Sequence, residues 1–230
     1  MKKRKLKKEV VAVIIALVVI LAVMVTVLVL KNRNKFVYSE QLDSVVISID
    51  DTNICLKEFT YYVMKVEEAG QERALMYDEN DPLAYWNLYM HDVDDTSGYV
   101  TDIAKKSAVD YCIRDNIFAK EAYKAGVEIG PDEDSDIRYD AEMAYELMSN
   151  RQRTASELTA DDFYIILYKQ ALAYKYMAQL AENDKDGTLE AIMLKYDVGG
   201  SYYETIKTNY NVVIYDDILE NVKVGFVTVN

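Results

Sequence analysis

The sequence is short of the residues that most enzyme chemistry draws on. In 230 residues it has one His, two Cys, two Pro, eight Gly and one Trp. A lone imidazole, His91 in an acidic turn, leaves Ser/His/Asp and Cys/His nucleophilic systems without a placed base. Cys55 and Cys112 stand too far apart for a CxxC-type zinc site. No Gly-rich phosphate loop occurs. Basic residues are also in deficit, 26 Lys+Arg against 39 Asp+Glu for a net charge of -13. Phosphate binding draws on a surplus of Lys and Arg, so nucleic acid is excluded as a partner. Scarce Gly and Pro with 28% charged residues describe a helical globular protein rather than a disordered chain or a β-sandwich.

The charge is unevenly spread. Residues 1–35 hold nine basic residues and one acid, Glu9; removing them from the totals leaves 17 basic and 38 acidic residues, a net of -21. Between the basic groups, Val10–Leu30 is 21 residues without charge, Gly or Pro. At ~1.5 Å per residue a helix of that length spans a bilayer core. The run is longer than the apolar region of a cleaved signal peptide, and no Ala-x-Ala closes it. The expected organisation is therefore a cytoplasmic basic segment over 1–9, a transmembrane signal anchor over 10–30 and a linker over 31–44. An extracytoplasmic domain over 45–230 follows, with the N-terminus cytoplasmic by the positive-inside rule. Outside the membrane Cys55 and Cys112 could pair or remain buried thiols, and spacing leaves both open.

In the exported part, β-branched Val45–Ile49, the turn Asp50–Asn53 and Ile54-Cys55 read as a hairpin. From Leu56 the period becomes helical, with Phe59, Tyr62, Val63 and Val66 on one face. Leu83–Met90 reads as a short aromatic helix and Asp92–Gly98 as a polar turn. A long helix runs from about Val100 to Ala125 and is closed by Gly126. Gly130-Pro131 opens a helix expected to reach Asn150. Thr159 and Asp162 form a capping box for a helix to about Ala181. Shorter helices are expected near Leu189–Lys195 and Tyr202–Asn209, with strands at Asn211–Tyr215 and Val222–Val229. The end strands are expected to pair. The fold class is mainly α with a small β element: an N-terminal transmembrane helix, then a helical domain closed by strands from both ends.

Metal chemistry finds only near-misses. Glu182-Asn-Asp184-Lys-Asp186-Gly187 resembles the start of a calcium loop, but Glu holds position 1 and Met193 stands where the bidentate Glu belongs. No cofactor is implied and no catalytic residue stands out. Tyrosine does stand out, with 20 Tyr against five Phe. Tyr buries a ring while keeping a polar end wet, which suits surfaces that bind many partners. One face of the 161–181 helix carries Phe163, Ile166, Leu167, Tyr174 and Met177. A second stripe, Tyr164, Tyr168, Leu172 and Tyr176, follows at spacings of four. Two stripes mean either burial on two sides or an exposed apolar groove. On the second reading these four residues are the client-binding contacts.

The opening run, with Ile54-Cys55-Leu56-Lys57-Glu58-Phe59 and then Tyr61-Tyr62, resembles the first hairpin and helix of SurA/PrsA-type extracytoplasmic chaperones. Ala119–Ile129 followed by Gly130-Pro131-Asp132-Glu133 is similar to that family's "A-x-x-x-G-[IV]-x-[IL]-[ST]-x-E-E". Tyr210–Asp217 resembles the return strand that pairs with the opening one. Cys55 departs from the usual Ser or Thr, and Asp51-Thr52 replaces the turn Gly. Only some 20 residues, Ala181–Ser201, occupy the place of the family's parvulin-type peptidyl-prolyl isomerase domain. The resemblance thus implies a chaperone without isomerase activity. It would bind unfolded or newly exported polypeptides at the cell membrane. The competing expectation is a non-catalytic adaptor or structural subunit of a cell-envelope complex, built on the same fold.

Overall fold

A computed structural model of the chain describes residues 24, 36–93, 96–184 and 194–228. The chain divides after Val37, and the fold below is that of Tyr38–Asn230. It opens with a hairpin of β1 (Val45–Ile49) and β2 (Thr52–Cys55). Asp50 takes the left-handed conformation at φ 53° in the connection, a region that Asp tolerates better than most residues. Helix α1 (Leu56–Tyr77) leaves β2 without a break. No side chain caps it. Instead the amides of Leu56 and Lys57 donate to the carbonyls of Ser44 and Leu42, so the preceding loop takes up two of the free helix donors.

One helical turn, α2 (Leu83–Trp86), is followed by a second hairpin, β3 (Tyr89–Val93) and β4 (Thr96–Tyr99). This corrects two expectations, the helix over Leu83–Met90 and the turn over Asp92–Gly98. Tyr89 pairs with Tyr99 across the strands, their rings edge to face at 5.2 Å, an aromatic pairing that favours strand over helix here.

The long helix α3 (Val100–Lys124) ends as expected at Gly126, whose φ is +71°. The amide of Val127 reaches the carbonyl of Ala122 and that of Gly126 reaches Tyr123, the two bonds of a Schellman closure. Helix α4 (Pro131–Leu147) follows, and the Glu133 carboxylate accepts from the Gly130 amide at 2.7 Å. It does not run to Asn150. Ser149 and Gln152 form a reciprocal capping box that starts a separate helix, α5 (Asn150–Ser156). Helix α6 (Ala160–Asn183) opens on the Thr159–Asp162 box and packs along both α3 and α4. Then come α7 (Ser201–Lys207), β5 (Val212–Ile214) and α8 (Asp216–Leu219). β5 pairs antiparallel with β1, so the sheet order is β2-β1-β5, with Ile47 opposite Ile214.

The run 222–229 is not a strand in the residues described. Gly225 has φ +91° and bends the chain onto Trp86, and the amides of Gly225, Val227 and Thr228 go to the Glu67 carboxylate instead of a neighbouring strand. The segment lies as a strap across α1 and α3, with Val222 and Val224 buried.

The expected fold class is corrected at its N-terminus. Among the described residues, no helix is long and apolar enough to cross a membrane. Helices α1, α3 and α6 have the length, but each carries charged residues throughout, as Lys57, Glu58, Lys65, Glu67, Glu68, Glu72 and Arg73 do in α1. Apart from Met24, Val10–Leu30 lies outside the described residues, as does most of the Leu189–Lys195 stretch.

Candidate functional site

The tyrosine stripe of α6 faces its neighbours. Leu172 is fully buried with Ala122 and Val127, and Tyr168 and Tyr176 rest half-buried against that cluster. Tyr164 donates its hydroxyl proton to Asp134 and receives a bond from Arg138, whose guanidinium lies 4.0 Å above the ring. The partly exposed Asp134 carboxyl is held below its usual range, chiefly by the Tyr164 hydroxyl. Phe163, Ile166 and Met177 on the other face are buried as well. Helix α6 is thus covered on two sides. Of the four residues, Leu172 contributes no surface, and the three tyrosines join α6 to α3 and α4.

A layer of charge lies between α1, α3 and α6. Lys169 bridges Glu58 and Asn116. Arg114 binds Asp115 through two guanidinium nitrogens, at 2.9 and 2.8 Å, and also reaches Asp197. Gln170 closes the chain, donating to Asp115 at 2.7 Å and accepting from Tyr61 at 2.9 Å. Burial pushes the Asp115 carboxyl up, and Arg114 pulls against that shift without cancelling it. Burial raises the Cys112 thiol well above its ordinary value, so it is not a poised nucleophile. Cys112 and Cys55 are both free thiols. A network of this kind, partly buried, fixes the alignment of three helices.

The apolar opening is elsewhere. A cleft of about 470 Å³ lies between α1 and α3 and is lined by Val66, Arg73, Tyr85, Trp86, Met90 and Tyr111, among others. Trp86 forms its floor, held against the bare backbone of Gly70, where a Cβ would lie 2.4 Å from the indole. Tyr85 meets Trp86 edge to face at 5.5 Å, and Tyr77 stands 6.3 Å from Tyr85. On the second hairpin Tyr89 meets Tyr99 edge to face and lies at a tilt to His91, 4.7 Å away. Tyr77, Tyr89, Tyr99 and Met76 are all exposed. An apolar cleft beside exposed aromatics and methionines is suited to transient contact with varied apolar segments.

Trp86 and Tyr89 fall within the short helix expected over Leu83–Met90. The sequence signal for the cleft is the run of aromatics Tyr77, Tyr85, Trp86, Tyr89 and Tyr99. Among the described residues, no group of three or more His, Cys, Asp or Glu could hold a metal. The calcium-like loop lies partly outside the described residues; within them, Asp184 binds Lys195 and Tyr196. No family model, curated protein or solved structure matches the chain.

Proposed function

We propose that the domain binds unfolded or newly exported polypeptides as a holding chaperone and performs no chemistry on them. The observation that carries this reading is the Trp86-floored cleft, with exposed Tyr77, whose ring stands 6.3 Å from that of the lining Tyr85, beside it. Met and Tyr make adaptable contacts and discriminate weakly between apolar segments, as a holdase requires. The opening hairpin, the helix that follows at once and the returning β5 have the order of the SurA/PrsA-type chaperone domain, which supports the same reading. Placement on the extracytoplasmic face of the cell membrane rests on the sequence, through the basic flanks of the 10–30 run.

The test is binding of reduced, carboxymethylated proteins that cannot fold, followed by fluorescence anisotropy. Tyr77→Ala with Tyr89→Ala, both exposed beside the cleft, is expected to weaken binding about tenfold, or ~1.4 kcal/mol, with little change in melting temperature. Leu172→Ala is expected to cost about 2–5 kcal/mol of stability and to leave affinity intact where the protein is folded. A Tyr77 and Tyr89 variant that binds as wild type overturns the reading. So does capture of one partner in fixed ratio with no binding of unrelated unfolded chains, which is the behaviour of an adaptor.

A further inference from the structure

Strand β5 closes one side of the sheet order β2-β1-β5, so among the described residues only one of its sides is paired. Which main-chain groups are left over follows from the register. The Tyr215 amide donates to the Val46 carbonyl and the Asp50 amide to the Asn211 carbonyl, both at 2.9 Å, with Val213 opposite Ser48 between them. Bonded residues alternate along an antiparallel ladder, so 211, 213 and 215 turn their amides and carbonyls to β1. Those of Val212 and Ile214 turn the other way, and among the described residues they meet no partner. The strand around them is open, with Val213, Ile214 and Tyr215 37%, 41% and 39% exposed.

Beyond its shortness, β5 has none of the devices that keep an edge from pairing, such as Lys, Pro or a bulge. Two residues with outward donors and acceptors specify the shape of what fits, an extended chain added as a fourth strand. Charge specifies the rest. Asp50 accepts from the Asn211 amide at 2.8 Å at one end of the strand, and Asp216 and Asp217 follow at the other, all three exposed. A second copy of the domain would bring another net charge of -21 to this edge, whereas a basic segment is attracted to it.

We propose that the open edge of β5 is a strand-addition site for an extended, basic segment of unfolded polypeptide, bonded through its main chain to Val212 and Ile214. This rests on the chaperone reading and deepens it, because it adds to the cleft a contact that reads the client's backbone.

The probe is a synthetic peptide of alternating Val and Thr with Lys at both ends, offered to the full chain. Hydrogen exchange needs no variant. Saturating peptide is expected to slow exchange at the Val212 and Ile214 amides about tenfold or more, with α3 and α6 unchanged. Carboxymethylated unfolded protein is expected to protect the same two amides, and the peptide with its central residues N-methylated is expected not to bind. Ile214→Pro removes an outward donor and leaves the bonds of Asn211, Val213 and Tyr215 to β1, since Pro is tolerated on an edge strand where the amide faces solvent. It is expected to weaken peptide binding about tenfold. Asp216→Asn with Asp217→Asn is expected to weaken it about threefold and to flatten its salt dependence.

Unfolded protein bound while Val212 and Ile214 exchange as before overturns the edge site and leaves the chaperone reading standing. Protection by the peptide with no unfolded protein bound removes the client and overturns both. Amides already protected in the free chain, or protected only as it dimerises, mark an edge covered by this chain itself and overturn the site. A folded Ile214→Pro variant with wild-type peptide affinity overturns it as well.

Discussion

Two carboxylates, Glu67 buried and Asp162 partly exposed, show how much a single residue decides here. Glu67 stands on the inward face of α1, close after Val63 and Met64, where an apolar side chain is expected. Its position on that face was readable from the helical period. Its partners were not, because they are main-chain amides 158 residues and more further on, and amides leave no mark in a sequence. Asp162 is the opposite case, since Thr159 three residues earlier announces its role. Burial alone would raise its carboxyl, but Lys57 at 2.8 Å and the bonds from Thr159 outweigh it, and the group sits below its usual range. A carboxyl depressed on folding stabilises the fold above the ordinary aspartate range, about pH 4, and loses that contribution as pH falls through its folded value. Asp162→Ala is therefore expected to cost about 1 kcal/mol at pH 7. The melting temperatures of variant and wild type are expected to converge as pH falls below the carboxyl's folded value, which thermal unfolding across pH checks.

At the scale of elements, what the sequence disclosed followed local chemistry. The first hairpin, the Gly126 closure, the Pro131 start and the Thr159 box are each written within a few residues, and each was legible. The break between α4 and α5 was equally local, a Ser149-x-x-Gln152 box, but helical periodicity on both sides hid it. Ser149→Ala is expected to cost about 1 kcal/mol and to raise hydrogen exchange in α5 while leaving α4 unchanged. The second hairpin and the strap were misread for another reason. Tyr89–Val93 is short, and only pairing with Thr96–Tyr99 makes it a strand. The 222–229 run has strand composition but finds side-chain acceptors and donors instead of a ladder. The α6 stripe was seen as a stripe, yet which neighbour covers it is a property of α3 and α4. The cleft was least visible, being assembled from residues of four elements, α1, α2, β3 and α3.

For the whole molecule, charge is the property that acts at a distance. Residues 36–230 carry a net of -21. Such a surface accelerates encounter with cationic chains, repels copies of itself and is screened over roughly 8 Å at physiological salt. Association with a cationic unfolded probe is expected to slow about tenfold between ~20 and ~500 mM salt, while dissociation changes little. Stopped-flow anisotropy separates the two. An equally fast association of an anionic probe at low salt would count against electrostatic steering.

The order of the sheet has a consequence for how the chain comes to exist. β1 lies between β2, its immediate neighbour in sequence, and β5, while the Asn211 amide must find Asp50 across 161 residues. A chain still emerging can complete only the first of these pairings. Its central strand then presents one bare edge through most of its own synthesis, and a bare apolar edge is a template for wrong partners. Closing so distant a pair slows folding more than it affects final stability. Among the described residues β5 is the last strand in the chain, and its arrival ends that exposure.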